Sequence, residues 1–153
     1  MLKVSRGSEV RQVSRARRAA RKSLAQALYQ LQIGGHAWQD VHQQFVVDPE
    51  FADADAEYFR EALMGIADHR DSLDEQLARF SDVDLDRLDP VEHGILWLGF
   101  YELMQRADVP YRVIINEAVE LTKRFGATDG HKYVNAVLDR AAAQLRRAEH
   151  GAD

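Results

Sequence analysis

The sequence predicts an all-α domain made of two packed groups of about three helices. Three observations predict it. Apolar side chains recur at helical spacing along most of the chain. No segment of consequence alternates with period two. Only three prolines, Pro49, Pro90 and Pro110, interrupt the 153 residues. The length fits one domain, or two small subdomains sharing an interface. A hydrophobic fraction of 46% supports a core that needs no disulfide to hold it.

In chain order, residues 1–13 hold few large apolar side chains and read as a mobile basic arm. Ser14 is the expected cap of a first helix ending at Gly34-Gly35, with Leu24, Leu28 and Leu31 on its core face. Trp38, Val41 and Phe45 mark a short second helix stopped by Asp48-Pro49. A longer helix is expected from about Asp53 to Phe80, striped first by Phe59, Leu63 and Ile66, then by Leu73, Leu77 and Phe80. Residues 81–88 form a connector with room for one helical turn. Asp89-Pro90-Val91-Glu92 is the sharpest start signal: N-cap Asp, Pro at the first helical position, and Glu placed for a capping box. The helix it opens, through Ile95, Leu96, Trp97, Leu98, Phe100 and Leu103, is apolar nearly all round and therefore buried. Gly99 within it predicts close approach of another helix. Pro110 opens the next helix, striped by Ile114, Ala118, Leu121 and Phe125 and ended by Gly126. Asp129 is the expected N-cap of the last, with Val134, Val137 or Leu138, Ala141 and Leu145 inward. The domain thus spans 14–148, its two groups falling at about 14–80 and 83–148, with 149–153 as a tail.

The chain has no Cys, which excludes a disulfide framework, a zinc ribbon, a thiol nucleophile and an iron–sulfur site. It suits a reducing cytoplasm, the expected location. No apolar run approaches the roughly 18 residues of a membrane span, and the first residues lack the apolar core of a signal peptide. Catalytic templates fail as well. There is no His-Glu-x-x-His, no Glu-x-x-His, no Gly-x-Ser-x-Gly and no phosphate loop. The run Asp82, Asp84, Asp86 starts like a calcium loop, but Arg87 and His93 occupy the positions that need Gly and Glu. Glu102 and Glu117 stand in apolar helices, where a satisfied carboxylate is the commoner outcome. No enzyme activity, metal or cofactor is expected.

Charge is where a function shows. The net charge of −5 hides eight basic residues against Glu9 alone in residues 1–22, a net +7, on a body carrying −12. A basic start on an acidic body predicts a local polyanion contact. Arg15, Arg17, Arg18, Arg21 and Lys22 crowd into one helical turn and a half, and guanidinium groups pair phosphate bidentately. A second candidate runs from Gly126 to Tyr133, where Lys132 and a stackable ring, Tyr133, meet a helix N-terminus.

Several ordered motifs carry a resemblance. Arg17-Arg18-Ala19-Ala20-Arg21 followed by Gln26-Ala27-Leu28-Tyr29, then Tyr58-Phe59-Arg60, Tyr101-Glu102-Leu103, Val109-Pro110-Tyr111 and Ile115 to Leu121 are similar to the NusB family of transcription antitermination factors. Lys123 to Gly126 and His131 to Asp139 complete the match over about residues 15–145. The resemblance implies a two-subdomain helical protein that binds single-stranded boxA RNA of ribosomal RNA transcripts. It also implies pairing with NusE, a small-subunit ribosomal protein, and loading of an antitermination complex, so that other factors and RNA polymerase are indirect partners. Carried over, RNA contact falls on Arg17, Arg18, Arg21, Tyr29, Asp129, Lys132 and Tyr133, and NusE contact on Glu92. Ala19 departs from a position that is often basic, which Arg6, Arg11 and Arg15 are placed to offset. Monomer and homodimer both stay open. The alternatives are a helical protein–protein adaptor, or an accessory to ribosomal RNA processing without sequence-specific RNA binding. The same fold accompanies certain ribosomal RNA methyltransferases; with no catalytic domain following, a stand-alone factor is expected.

Overall fold

The structure is a computed structural model and describes residues 6–151. All regular structure among them is helical: α1 (Arg6–Gly34), α2 (Trp38–Val46), α3 (Ala56–Asp68), α4 (Arg70–Phe80), α5 (Pro90–Gln105), α6 (Tyr111–Phe125), α7 (Gly130–Leu145) and α8 (Arg147–Gly151). Single 3-10 turns at Pro49–Phe51 and Leu85–Arg87 fill the two longer connectors.

Helix α1 starts eight residues before the expected cap, and Ser14 lies inside it. Elongation is the reason. Once the Leu24/Leu28/Leu31 face has nucleated and packed, each added residue gains a hydrogen bond at little cost, and residues 8–13 contain no breaker. Residues 1–5 of the expected arm, and 152–153 of the tail, lie outside the described residues.

The expected 53–80 helix is two helices. Asp55 caps α3, accepting from the Tyr58 amide at 3.0 Å. At His69 the backbone leaves helical geometry (φ −130°, ψ 29°), and its ring Nδ1 lies 2.8 Å from the Gly65 carbonyl. The break re-aims the Leu73/Leu77/Phe80 stripe. Helix α4 therefore packs chiefly on α5 and α7, away from α3, and joins the second group of helices instead of the first.

Helix α5 is the hub, packed on α1, α3, α4, α6 and α7. Every residue from Gly94 to Phe100 is buried, as an all-round apolar helix requires. Gly99 meets α7 as expected: a Cβ there would stand 2.8 Å from Leu138 Cδ2. One continuous core runs through both groups, from Leu24 and Phe59 to Phe100 and Leu138.

Long side chains close several helix ends that the local sequence leaves open. Arg146 donates to the carbonyls of Glu102, Leu103, Arg106 and Val109 at 2.8–3.1 Å, and so caps the end of α5. Arg140 does the same for α4 through the Phe80 carbonyl, at 2.7 and 3.0 Å. Glu149, expected in a tail, pairs with Arg146 and accepts from the Tyr111 amide at 2.8 Å, which caps α6. The last short helix is thus fastened to the α5–α6 corner.

Candidate nucleic-acid interface

A helix advances 100° per residue, so neighbouring cations of α1 face different surroundings. Arg17 and Arg21, four residues apart, share the inward side with Leu24 and Leu28. Arg21 is 4% exposed and grips Glu102, itself 2% exposed, through three contacts of 2.9–3.2 Å. The Tyr58 hydroxyl donates to the same carboxylate in a short hydrogen bond. The guanidinium carbons of Arg17, Arg21 and Arg106 stand 4.9, 5.5 and 4.8 Å from the Tyr58 ring centroid. Burial, and then the Glu102 charge, push the Tyr58 hydroxyl far above its ordinary pKa. Burial works against the Arg21 charge, but the Glu102 hydrogen bonds and charge outweigh it and raise its pKa. Arg21 therefore presents nothing to a phosphate, and its expected RNA contact is corrected to a structural ion pair. Arg17 is committed too, bonded to Asp108 at 3.2 Å. Asp108 also takes Arg106 at 3.0 Å; those hydrogen bonds hold its carboxyl down at about 2.

Arg15, Arg18 and Lys22 occupy the outer side at i, i+3, i+7, and Tyr29 continues the stripe a further two turns on, 39% exposed. Arg18 is 72% exposed, its Nε held 3.1 Å from Glu117 while its two terminal nitrogens have no carboxylate partner among the described residues. Arg15 and Lys22 make no ion pair there either. With Arg124 from α6 they line an open groove of about 650 Å³. Arg124 escaped sequence reasoning because only the packing of α6 beside α1 brings it there. Its signal was the polar stripe Asn116, Glu120, Arg124 along one side of α6.

The second candidate patch comes together differently from its expectation. Asp129 adopts left-handed backbone (φ 66°, ψ 1°) and makes no capping hydrogen bond. Its carboxylate pairs with Lys132 at 3.3 Å. The anion at the start of α7 is Glu92 instead. Its side chain leaves the expected capping box, in which Asp89 accepts only from the Val91 amide at 2.8 Å, and turns toward α7. There a Cβ on Gly130 would fall 1.8 Å from Glu92 Oε1, so any side chain at 130 would displace the Glu92 carboxylate. The positive end of the α7 dipole favours a carboxylate at this point. Burial, then the Asp89 charge, raises the Glu92 pKa. Glu92 is 7% exposed and packs its carboxylate against the start of α7. Tyr133 is half-buried, with its hydroxyl engaged by Ser81 in a short hydrogen bond, and burial raises its pKa. Lys132 remains exposed. Tyr29 lies at this same end of the molecule, since Leu28 packs against Gly94 and Gln32 bonds the Pro90 carbonyl at 2.8 Å.

Fold and surface define a class: a small all-helical protein whose exposed chemistry is ionic pairing along helix sides. No described helix is long and apolar enough to cross a membrane. The profile of the NusB family matches residues 18–143, and the chain belongs to that family of non-enzymatic transcription antitermination factors. It is 54% identical over 136 residues to the transcription antitermination protein NusB of Pseudomonas entomophila, covering 89% of this chain and 82% of that protein. The NusB protein of Alcanivorax borkumensis is 52% identical over 134 residues, covering 88% and 89%. Among solved structures, T. maritima NusB superposes with a TM-score of 0.74 at 31% identity, over 84% of this chain and 91% of that one.

Proposed function

We propose that this factor binds single-stranded boxA RNA of ribosomal RNA transcripts jointly with NusE and helps load an antitermination complex on RNA polymerase. The observation that carries the RNA reading is the cationic groove. Arg15, Lys22 and Arg124 converge there without carboxylate partners among the described residues, on a protein of net charge −5. Such a groove on an acidic body attracts a polyanion locally and repels it elsewhere. Tyr29 and Lys132 at the far end of the α1 stripe extend the path with a ring and a cation.

Titration of labelled boxA RNA, with and without NusE, tests the reading. Four cations at about 0.7 each predict a slope near −3 in log K against log salt. NusE should tighten RNA binding, and RNA should tighten NusE by the same factor. Absence of RNA binding in both arms, or a flat salt dependence, overturns it in favour of a protein–protein adaptor.

A further inference from the structure

The groove continues toward the N-terminal end of α6 into a second recess of about 370 Å³ whose chemistry is different. Val109, Pro110 and Val113 line it from the α6 side and Val13 from α1, beside Ser14, the buried Arg21 and the Arg17–Asp108 pair. Val13 and Val113 are 53% and 40% exposed, an unusual pairing of open aliphatic surface at the edge of a charged groove. Arg18, Asn116 and Glu117 border both recesses. Asn116 is exposed, and its amide makes no hydrogen bond among the described residues. The nearby carboxylates are all committed: Glu117 to Arg18, Glu120 to Lys123 at 3.5 Å, and Asp108 to Arg106 and Arg17.

We propose that this recess holds one unpaired RNA base, read by the Asn116 amide, while Arg15, Lys22 and Arg124 hold the phosphates that follow it. The inference rests on the RNA-binding reading above and specifies where a base is recognised. An unstacked base needs a flat apolar seat and a donor–acceptor group at its edge. The aliphatic walls and the plane of Arg18 supply the first, and an amide that both donates and accepts supplies the second. Glu117 acts as a positioning residue, since its bond to Nε fixes how the Arg18 guanidinium lies between base and phosphate. From Val13 to Lys22 the helix rises roughly 14 Å, so the groove takes a short stretch of strand. Charge complementarity favours RNA over an apolar peptide, because among the described residues the uncommitted ionic groups bordering the two recesses are cations.

The full-length protein is titrated with boxA RNA and with a set of the same RNA made abasic at one position at a time. Asn116→Ala should weaken boxA binding at least about fivefold, the lower end of what a paired edge contact discriminates, with the salt slope unchanged. That loss should vanish for the one RNA lacking the base in the recess. Arg124→Gln should instead lower the slope by about 0.7 and weaken every RNA alike. Asn116 and Arg124 are exposed, so both variants should keep the wild-type melting temperature. If Asn116→Ala binds all the RNAs as wild type does, or weakens all equally, base reading at this recess is overturned. If an acidic peptide occupies the groove and boxA RNA does not, the RNA reading itself falls with it.

Discussion

Arg21 and Lys22 are neighbours in the chain and opposites in the molecule. Arg21 turns inward to Glu102 and Tyr58, where its charge is enclosed and balanced. Lys22 turns outward to the groove with Arg15 and Arg18. Part of the basic character of α1 is thus structural, while Arg15 and Lys22 have no ion-pair partner among the described residues. A count of positive charge at the start of this helix overstates its binding surface. The inward members are identifiable only by the partners they meet across 81 positions of sequence.

The largest effect that separates the two sides is on stability. Arg21→Ala leaves Glu102 buried and uncompensated, and should cost about 3–5 kcal/mol in denaturant unfolding. Pairing Arg21→Met with Glu102→Leu should recover much of that loss, because an apolar pair avoids the desolvation of both charges. A cost of Arg21→Ala near that of a surface substitution would erase the contrast.

Arg146 extends the inward class to the residue that ends α7. Arg146→Ala removes a donor from four backbone carbonyls at the α5–α6 corner, of which those of Glu102 and Arg106 keep a backbone partner. It should lower stability by about 1–3 kcal/mol, the cost of leaving partly buried acceptors unsatisfied. Hydrogen exchange should rise first in α8 and at the start of α6, since Glu149 loses its anchor as well.

On the outward side, Arg15→Gln and Lys22→Gln should each stay within about 0.5 kcal/mol of wild-type stability. Each should reduce the RNA salt slope by about 0.7. A destabilised Lys22→Gln, or an unchanged slope for both, would move these cations into the structural class.

Asp108 sits at the border between the two sides and reports by pH. Its folded pKa of about 2 lies below the ordinary value of about 3.9. The ionised carboxylate therefore stabilises the fold above about pH 4, and that contribution disappears as pH falls through about 2. The carboxylate is half exposed, so the effect is modest. A carboxyl carbon titration midpoint near 4 would show that Arg17 and Arg106 are not held there.

An effect of the opposite sign falls at Asp129. With φ at 66°, Asp129→Gly should stabilise by up to about 1 kcal/mol and Asp129→Asn should be nearly neutral, since both residues accept left-handed backbone. A clear loss on Asp129→Gly would restore a capping role to the carboxylate.

The sequence by itself determined the helical class, the burial of α5, the close approach at Gly99, and the start of α5 at Asp89-Pro90. These depend on side-chain periodicity and on backbone restrictions acting within a few residues. The basic outer stripe of α1 was legible for the same reason, being a matter of helical spacing. Tertiary structure alone decided the break at His69, where no Gly or Pro announces it and the stripe is re-aimed onto α5 and α7. It also decided the burial of Arg21 and the addition of Arg124 and Asn116 to the groove. Glu92 shows the reason most plainly. Its local spacing fits a capping box, yet an uncapped helix start lying across from it, with Gly130 leaving room for the carboxylate, attracts the side chain away. Electrostatic partners are chosen by proximity in space, and for charges on separate helices that proximity exists only after the helices have packed.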